Sequence, residues 1–130
     1  MNLKLKDENA QSMVEFAIIF PILLLILVGI IEFGFMFSGY LTLSNASREA
    51  ARSISLGAGD VAAVQKVKDS AVNLDKTHIV VTINPVEAMR KQGDLVTLTI
   101  TYDYDFLTPF MEKIFGNNFK LKTETTMRVE

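Results

Sequence analysis

Side chains able to do chemistry are few in this sequence, and the most informative are two carboxylates at the ends of one apolar run. Glu15 and Glu32 bracket Phe16-Ala17-Ile18-Ile19-Phe20-Pro21-Ile22-Leu23-Leu24-Leu25-Ile26-Leu27-Val28-Gly29-Ile30-Ile31, which holds no ionisable group. At a helical rise of about 1.5 Å per residue the two acids stand about 25 Å apart, close to the hydrocarbon thickness of a bilayer. A carboxylate deeper in lipid would be costly or would take up a proton, so acids at both edges suit a membrane-spanning helix. A buried core helix fits less well, because the rest of the chain is too short to surround it. A secretory signal peptide would end in small residues, whereas this run leads into Phe33, Phe35, Met36 and Phe37.

Elsewhere the pattern needed for catalysis is missing. His78 is the only histidine and there is no cysteine, which removes thiol nucleophiles, thiolate metal sites and disulfides. His78 opens a strand-like segment with no carboxylate spacing that would make a triad, so it reads as a strand-edge residue. Asp103 and Asp105 flank Tyr104 and read as a solvated face, since a hard cation needs more oxygen ligands. No glycine-rich phosphate loop follows a strand. The expectation is no enzyme, no metal and no cofactor. A formal net charge of -2 gives no basic footprint for nucleic acid.

The elements that position these residues can be read from periodicity. Helical spacing continues past the apolar run, where Leu43, Ala46, Ala50 and Ile54 form one stripe and Asn45, Arg48, Glu49 and Arg52 the opposite one. The spacing predicts one helix from about Gln11 to Leu56, with a bend or local melting near Pro21. Arg48, Glu49 and Arg52 fit either a solvated stripe with an intrahelical pair or a docking surface. Gly57 can end this helix and Asp60 can cap a second one, from Val61 to Leu74, with Val61, Val64, Val67, Ala71 and Leu74 inward.

The period then changes from helix to strand. Ile79, Val81 and Ile83 alternate with polar or outward positions; Val96, Leu98, Ile100, Tyr102 and Tyr104 do so more cleanly. A third strand over about Phe119 to Val129 carries Leu121, Met127 and Val129 inward. Turn signals at Gln92-Gly93-Asp94 and Gly116-Asn117-Asn118 favour an antiparallel meander. Thr108-Pro109 opens a short helix whose Phe110, Met111, Ile114 and Phe115 are expected to cover the sheet, with an exposed patch for a partner as the alternative. The fold class is therefore α+β: a long N-terminal transmembrane and amphipathic helix, a second short helix, and a small three-stranded antiparallel sheet. Lys4 and Lys6 before the run place the N-terminus in the cytoplasm and the C-terminus outside, although Asp7 and Glu8 dilute the signal.

The junction Ala10-Gln11-Ser12-Met13-Val14-Glu15-Phe16 resembles the processing site of type IV pilins and pseudopilins. Val14-Glu15-Phe16-Ala17 leading to Pro21, then Gly29-Ile30-Ile31-Glu32-Phe33-Gly34 and Asn45-Ala46-Ser47-Arg48-Glu49-Ala50-Ala51-Arg52, looks like the signature of TadE-like proteins of tight-adherence pilus systems. Tyr102-Asp103-Tyr104, Leu107-Thr108-Pro109 and Thr125-Thr126-Met127-Arg128 are also similar to that family.

The resemblance implies a leader over residues 1–10, cut between Ala10 and Gln11, a helix over 11–56 that spans the membrane at about 16–40, and an extracytoplasmic domain over 57–130. Ala10 stands where the family usually has glycine. The resemblance further implies a pseudopilin or minor pilin supporting assembly or initiation of an adhesive pilus. Its partners would be membrane lipid, a prepilin peptidase, the pilus assembly platform and other pilin-like subunits. It would reside in the cytoplasmic (inner) membrane as a single-pass protein, with a place in the cell-surface pilus as a further expectation. Glu15 would then pair with the amine freed on Gln11 or on a neighbouring subunit, while a plain interfacial carboxylate is the simpler reading. Glu32 is expected to anchor the membrane edge. The competing function is a single-pass accessory protein whose outer domain binds or regulates a membrane enzyme or transporter.

Overall fold

The computed structural model describes residues 3–130, with side chains from Asp7 onward. The first two residues of the expected leader, and the side chains of Lys4 and Lys6 that carry the orientation reading, lie outside the described residues.

Helix α1 runs over Leu3–Ser55 without a break and carries Pro21 inside it. It begins upstream of the expected Gln11 start, because neither proline nor glycine interrupts the chain before Pro21. The expected melting at Pro21 does not occur. α1 ends in a Schellman turn: Gly57 adopts φ 98°, its amide donates to the Ile54 carbonyl at 3.0 Å, and the Ala58 amide donates to Ser53 at 2.9 Å. Only a residue without Cβ takes that left-handed conformation cheaply.

The chain divides into two units, one ending at Gly34 and one over Phe35–Glu130. In the first, α1 carries an 18-residue window of mean hydropathy 2.9, none of it buried. It is the one helix among the described residues long and apolar enough to cross a membrane. Large side chains such as Phe16, Leu23 and Ile26 are exposed on it, as expected of a helix apolar on every side that meets lipid rather than protein.

The second unit contains the remaining part of α1, then α2 (Asp60–Ser70), β1 (Ile79–Asn84), β2 (Leu95–Asp103), α3 (Pro109–Phe115) and β3 (Lys120–Arg128). The strands form one antiparallel sheet in the order β1-β2-β3. Ile79, Val81 and Ile83 sit opposite Tyr102, Ile100 and Leu98, and those β2 residues face Leu121, Thr123 and Thr125 of β3. Side chains that alternate along each strand therefore form one continuous inner face. Val96, Leu98 and Ile100 are fully buried at its centre. The core joins them to Leu43, Ala46, Ala50 and Ile54 of α1 and Ala63 and Val67 of α2.

Three sequence expectations need correction. Ala51, Ser47 and Ser55 are buried beside the predicted α1 stripe; a sheet is broad, so it covers more of the helix than a narrow seam. On α2, Val61 is exposed and Ala63 is buried, which turns the predicted face by part of a turn. Asp60 does not cap α2 with its own side chain: Gly59 occupies the N-cap. Instead the Asp60 amide donates to Glu87 Oε2 and the Glu87 amide donates to Asp60 Oδ2, each at 3.0 Å. Arg90, largely buried, pairs with the same Asp60 carboxylate. The helix terminus is thus satisfied by a segment distant in sequence.

Candidate functional site

The amino-terminal motif lies on α1, where a spacing of four residues puts two side chains one turn apart on the same face. Gln11 Nε2 donates to Glu15 Oε1 at 3.1 Å, in the open. One turn earlier, Ser12 Oγ donates to the Glu8 carbonyl at 3.0 Å. Ala10 is exposed on the same helix. Residue 11 therefore lies within one turn of a carboxylate able to accept hydrogen bonds or to neutralise a cation.

Glu32, at the other end of the apolar run, is only 1% exposed and is engaged within the protein. Its carboxylate is therefore shielded from water.

Further along α1, the charged stripe is divided by what lies next to it. Glu49 does not pair within its helix. Its carboxylate accepts a hydrogen bond from Ser70 Oγ at 3.1 Å and stands 3.6 Å from Lys66 Nζ, so it ties α1 to α2. Arg48 and Arg52 are exposed, and none of the ion pairs among the described residues uses them. Sequence reasoning grouped the three residues because they share a helical stripe. The structure separates the acid that holds two helices together from two arginines open to water.

His78 gathers acids that the linear spacing did not reveal. It closes a 3-10 turn over Lys76–His78. Its Nδ1 lies 3.4 Å from Asp105 Oδ2 and its Nε2 lies 4.0 Å from Asp75 Oδ2; Nδ1 is also 3.2 Å from the Asp103 carbonyl. The signal was in the strand pairing: with Ile79 opposite Tyr102, an antiparallel ladder carries His78 toward residue 103 and its neighbours. Asp75 caps the turn, accepting from the Thr77 hydroxyl at 2.7 Å and the Thr77 amide at 3.0 Å. Those bonds, the hydroxyl first, hold the Asp75 carboxyl below its ordinary value, and His78 adds a smaller pull. Among the described residues, no group of three or more His, Cys, Asp or Glu has the placement to hold a metal ion. The cluster links the turn before β1 to the chain after β2.

The chemistry on offer is charge pairing and surface complementarity. No curated protein and no solved structure matches the chain. Residues 10–52, about a third of the chain, match the family model described as TadE-like protein, so the segment that carries Ala10, Gln11, Glu15, Arg48, Glu49 and Arg52 is TadE-like.

Proposed function

We propose that this chain is a pseudopilin or minor pilin that supports assembly or initiation of an adhesive tight-adherence pilus, acting as a non-enzymatic subunit. The TadE-like family points to a protein associated with such a pilus, and one observation carries the finer reading. The family match begins at residue 10, beside a Gln11 whose side chain already reaches Glu15 at 3.1 Å.

On this reading a prepilin peptidase removes residues 1–10 by cutting between Ala10 and Gln11. The small side chain at Ala10 lets the backbone enter the peptidase. The new amine on Gln11 then pairs with Glu15 of its own or a neighbouring copy, because opposite charges leaving water together cost less than either alone. α1 crosses the cytoplasmic membrane once, over about residues 16–40, with the N-terminus inside and residues 57–130 outside. Arg48 and Arg52 dock against other pilin-like subunits or the assembly platform, while Glu49 keeps α2 in place beside them.

The test is carried out in the native host. The purified protein should begin at Gln11, and Ala10→Phe should leave the precursor uncut. Glu15→Gln should give a mature, inserted protein whose strain lacks surface pili by electron microscopy. An intact Met1 in functional protein, or normal pilus numbers with Glu15→Gln, would overturn the reading in favour of a single-pass accessory protein.

A further inference from the structure

The segment Leu107-Thr108-Pro109-Phe110-Met111-Glu112-Lys113-Ile114-Phe115 has more apolar side chains than one face of a short helix can bury. Pro109 starts α3 at its first turn, where a missing amide costs nothing. Helical spacing then sends Met111 and Phe115 to one side and Phe110 and Ile114 to another.

The first side is anchored. Met111 is buried. Phe115 stacks on Phe106 with ring centroids 5.5 Å apart and meets Phe119 edge-on at 6.0 Å; Phe106 also meets Tyr104 at 5.4 Å. Buried Met111 and this aromatic cluster fix the rotation of α3, since rolling the helix to cover its other side would expose Met111 and break the ring contacts of Phe115, which is itself 42% exposed. Phe110, Ile114 and the adjacent Leu107 consequently stay 47%, 58% and 64% exposed.

Their position indicates what covers them. Leu107 lines a cleft of about 240 Å³ together with Phe35, Leu74 and Tyr102. Phe35 is the first residue of the compact unit, four residues past the end of the apolar run at Ile31 and inside the proposed span over about 16–40. The exposed apolar surface therefore begins at the part of the domain that the chain enters from its candidate membrane span. Adjacent Glu112 and Lys113 carry opposite charges, so no strong attraction to anionic lipid is built in.

We propose that Leu107, Phe110 and Ile114 seat the outer domain on the bilayer that α1 crosses, with these side chains at the boundary between headgroups and acyl chains of zwitterionic lipid. Short apolar surfaces bind there when their polar backbone remains within a helix. α3 then gives the domain a second attachment beside its covalent one. This inference rests on the membrane-spanning reading of α1.

The chain contains no tryptophan, so one introduced tryptophan reports its own surroundings. Full-length chains carrying Phe110→Trp, Ile114→Trp, Val61→Trp or Phe20→Trp are reconstituted in phosphatidylcholine vesicles with brominated acyl chains. Phe20→Trp marks the span and Val61→Trp an exposed site on α2. Phe110→Trp and Ile114→Trp should emit at shorter wavelength than Val61→Trp and be quenched by brominated lipid several-fold more strongly. Strong quenching at Phe20→Trp with none at positions 110 and 114 would overturn the seating and leave the span intact. Absence of quenching at Phe20→Trp would overturn both. A blue shift at positions 110 and 114 that grows with protein density, without bromine quenching, would assign the surface to a second copy and overturn the lipid contact.

Discussion

One helix, α1, follows opposite rules on the two sides of Gly34. Before it, large side chains such as Leu23 and Ile26 point outward and are more than half exposed, whereas Ala46 and Ala50 beyond it are 1% and 0% exposed. Size explains the difference. A segment meant for lipid gains from bulky apolar groups on every side, because nothing polar has to be excluded from any face. A segment packed on a sheet whose inner face already carries Val96, Leu98 and Ile100 mixes small Ala46, Ala50 and Ala51 with large Leu43 and Ile54, so that the two layers interdigitate at native density. Hydrophobicity alone would therefore misjudge which half is the core.

The largest expected effect tests that contrast with the same change in both regions. Leu98→Asp buries a charge with no partner and should cost about 4 kcal/mol or more, enough to unfold a small domain. Near-UV circular dichroism of the full chain in detergent should lose its cooperative melt. Leu25→Asp should leave that melt unchanged and instead lower membrane insertion, at a cost of about 2.5 to 3.5 kcal/mol for an acid near the centre of a span. If Leu25→Asp unfolded the domain, or left recovery in the membrane fraction unchanged, the division of roles would fail.

A smaller effect probes the need for small residues after Gly34. Ala50→Leu should overpack the interface and lower stability by about 1 to 3 kcal/mol, although it adds hydrophobicity. Arg48→Leu, two residues earlier on the open side, should change stability by less than about 0.5 kcal/mol. Equal melting temperatures for the two variants would show that the sheet tolerates bulk there.

Smaller again is the polar contact inside this interface. Ser47, fully buried, donates to Thr125 Oγ1 of β3 at 2.6 Å. Ser47→Ala should cost about 1 kcal/mol, the usual net worth of one such bond. A double-mutant cycle with Thr125→Val should recover most of that as coupling energy. Additive losses would mean that the hydroxyls do not stabilise each other.

Much of this was legible in the chain because periodicity reports facing directly. The alternation from Val96 to Tyr104 gave the central strand, and the stripe Leu43, Ala46, Ala50 and Ile54 gave the buried face of α1. Contacts between segments far apart in sequence were not legible. Nothing near Asp60 announces that Glu87 and Arg90 will complete its helix terminus, and nothing near Glu49 announces Lys66 and Ser70. Thr123 and Thr125 share the inner face of β3 with Leu121 and Met127 by alternation, but nothing in either segment announces that Thr125 will meet Ser47 of α1. α3 looked like a lid because its composition is apolar, but a helix so short can turn only one side inward, and the structure gives that side to Met111. For Gln11 and Glu15 the shared face was readable, because a spacing of four residues on one helix brings the two side chains together.

The smallest expected effect lies on an exposed turn of the compact unit. The Asp75 carboxyl sits below its ordinary value of 3.8, mainly through the Thr77 hydroxyl and amide, with His78 a lesser cause. A carboxyl depressed in the folded state adds stability that is present above the unfolded value and is lost as pH falls through the lower folded value. Asp75→Asn should therefore melt slightly below the parent at neutral pH, and the gap should start to narrow as the solution is acidified past 3.8 and close below the lower folded value. Because Asp75 is exposed, water and salt screen its attraction to His78, while the two Thr77 bonds are local and far less sensitive to salt. Thermal melts of both proteins across acidic pH, at low and high salt, separate the contributions. A gap that vanishes in high salt at mildly acidic pH would assign the effect to His78; one that persists, and disappears in a Thr77→Val background, assigns it to the cap. A gap that widens on acidification would overturn the sign of the linkage.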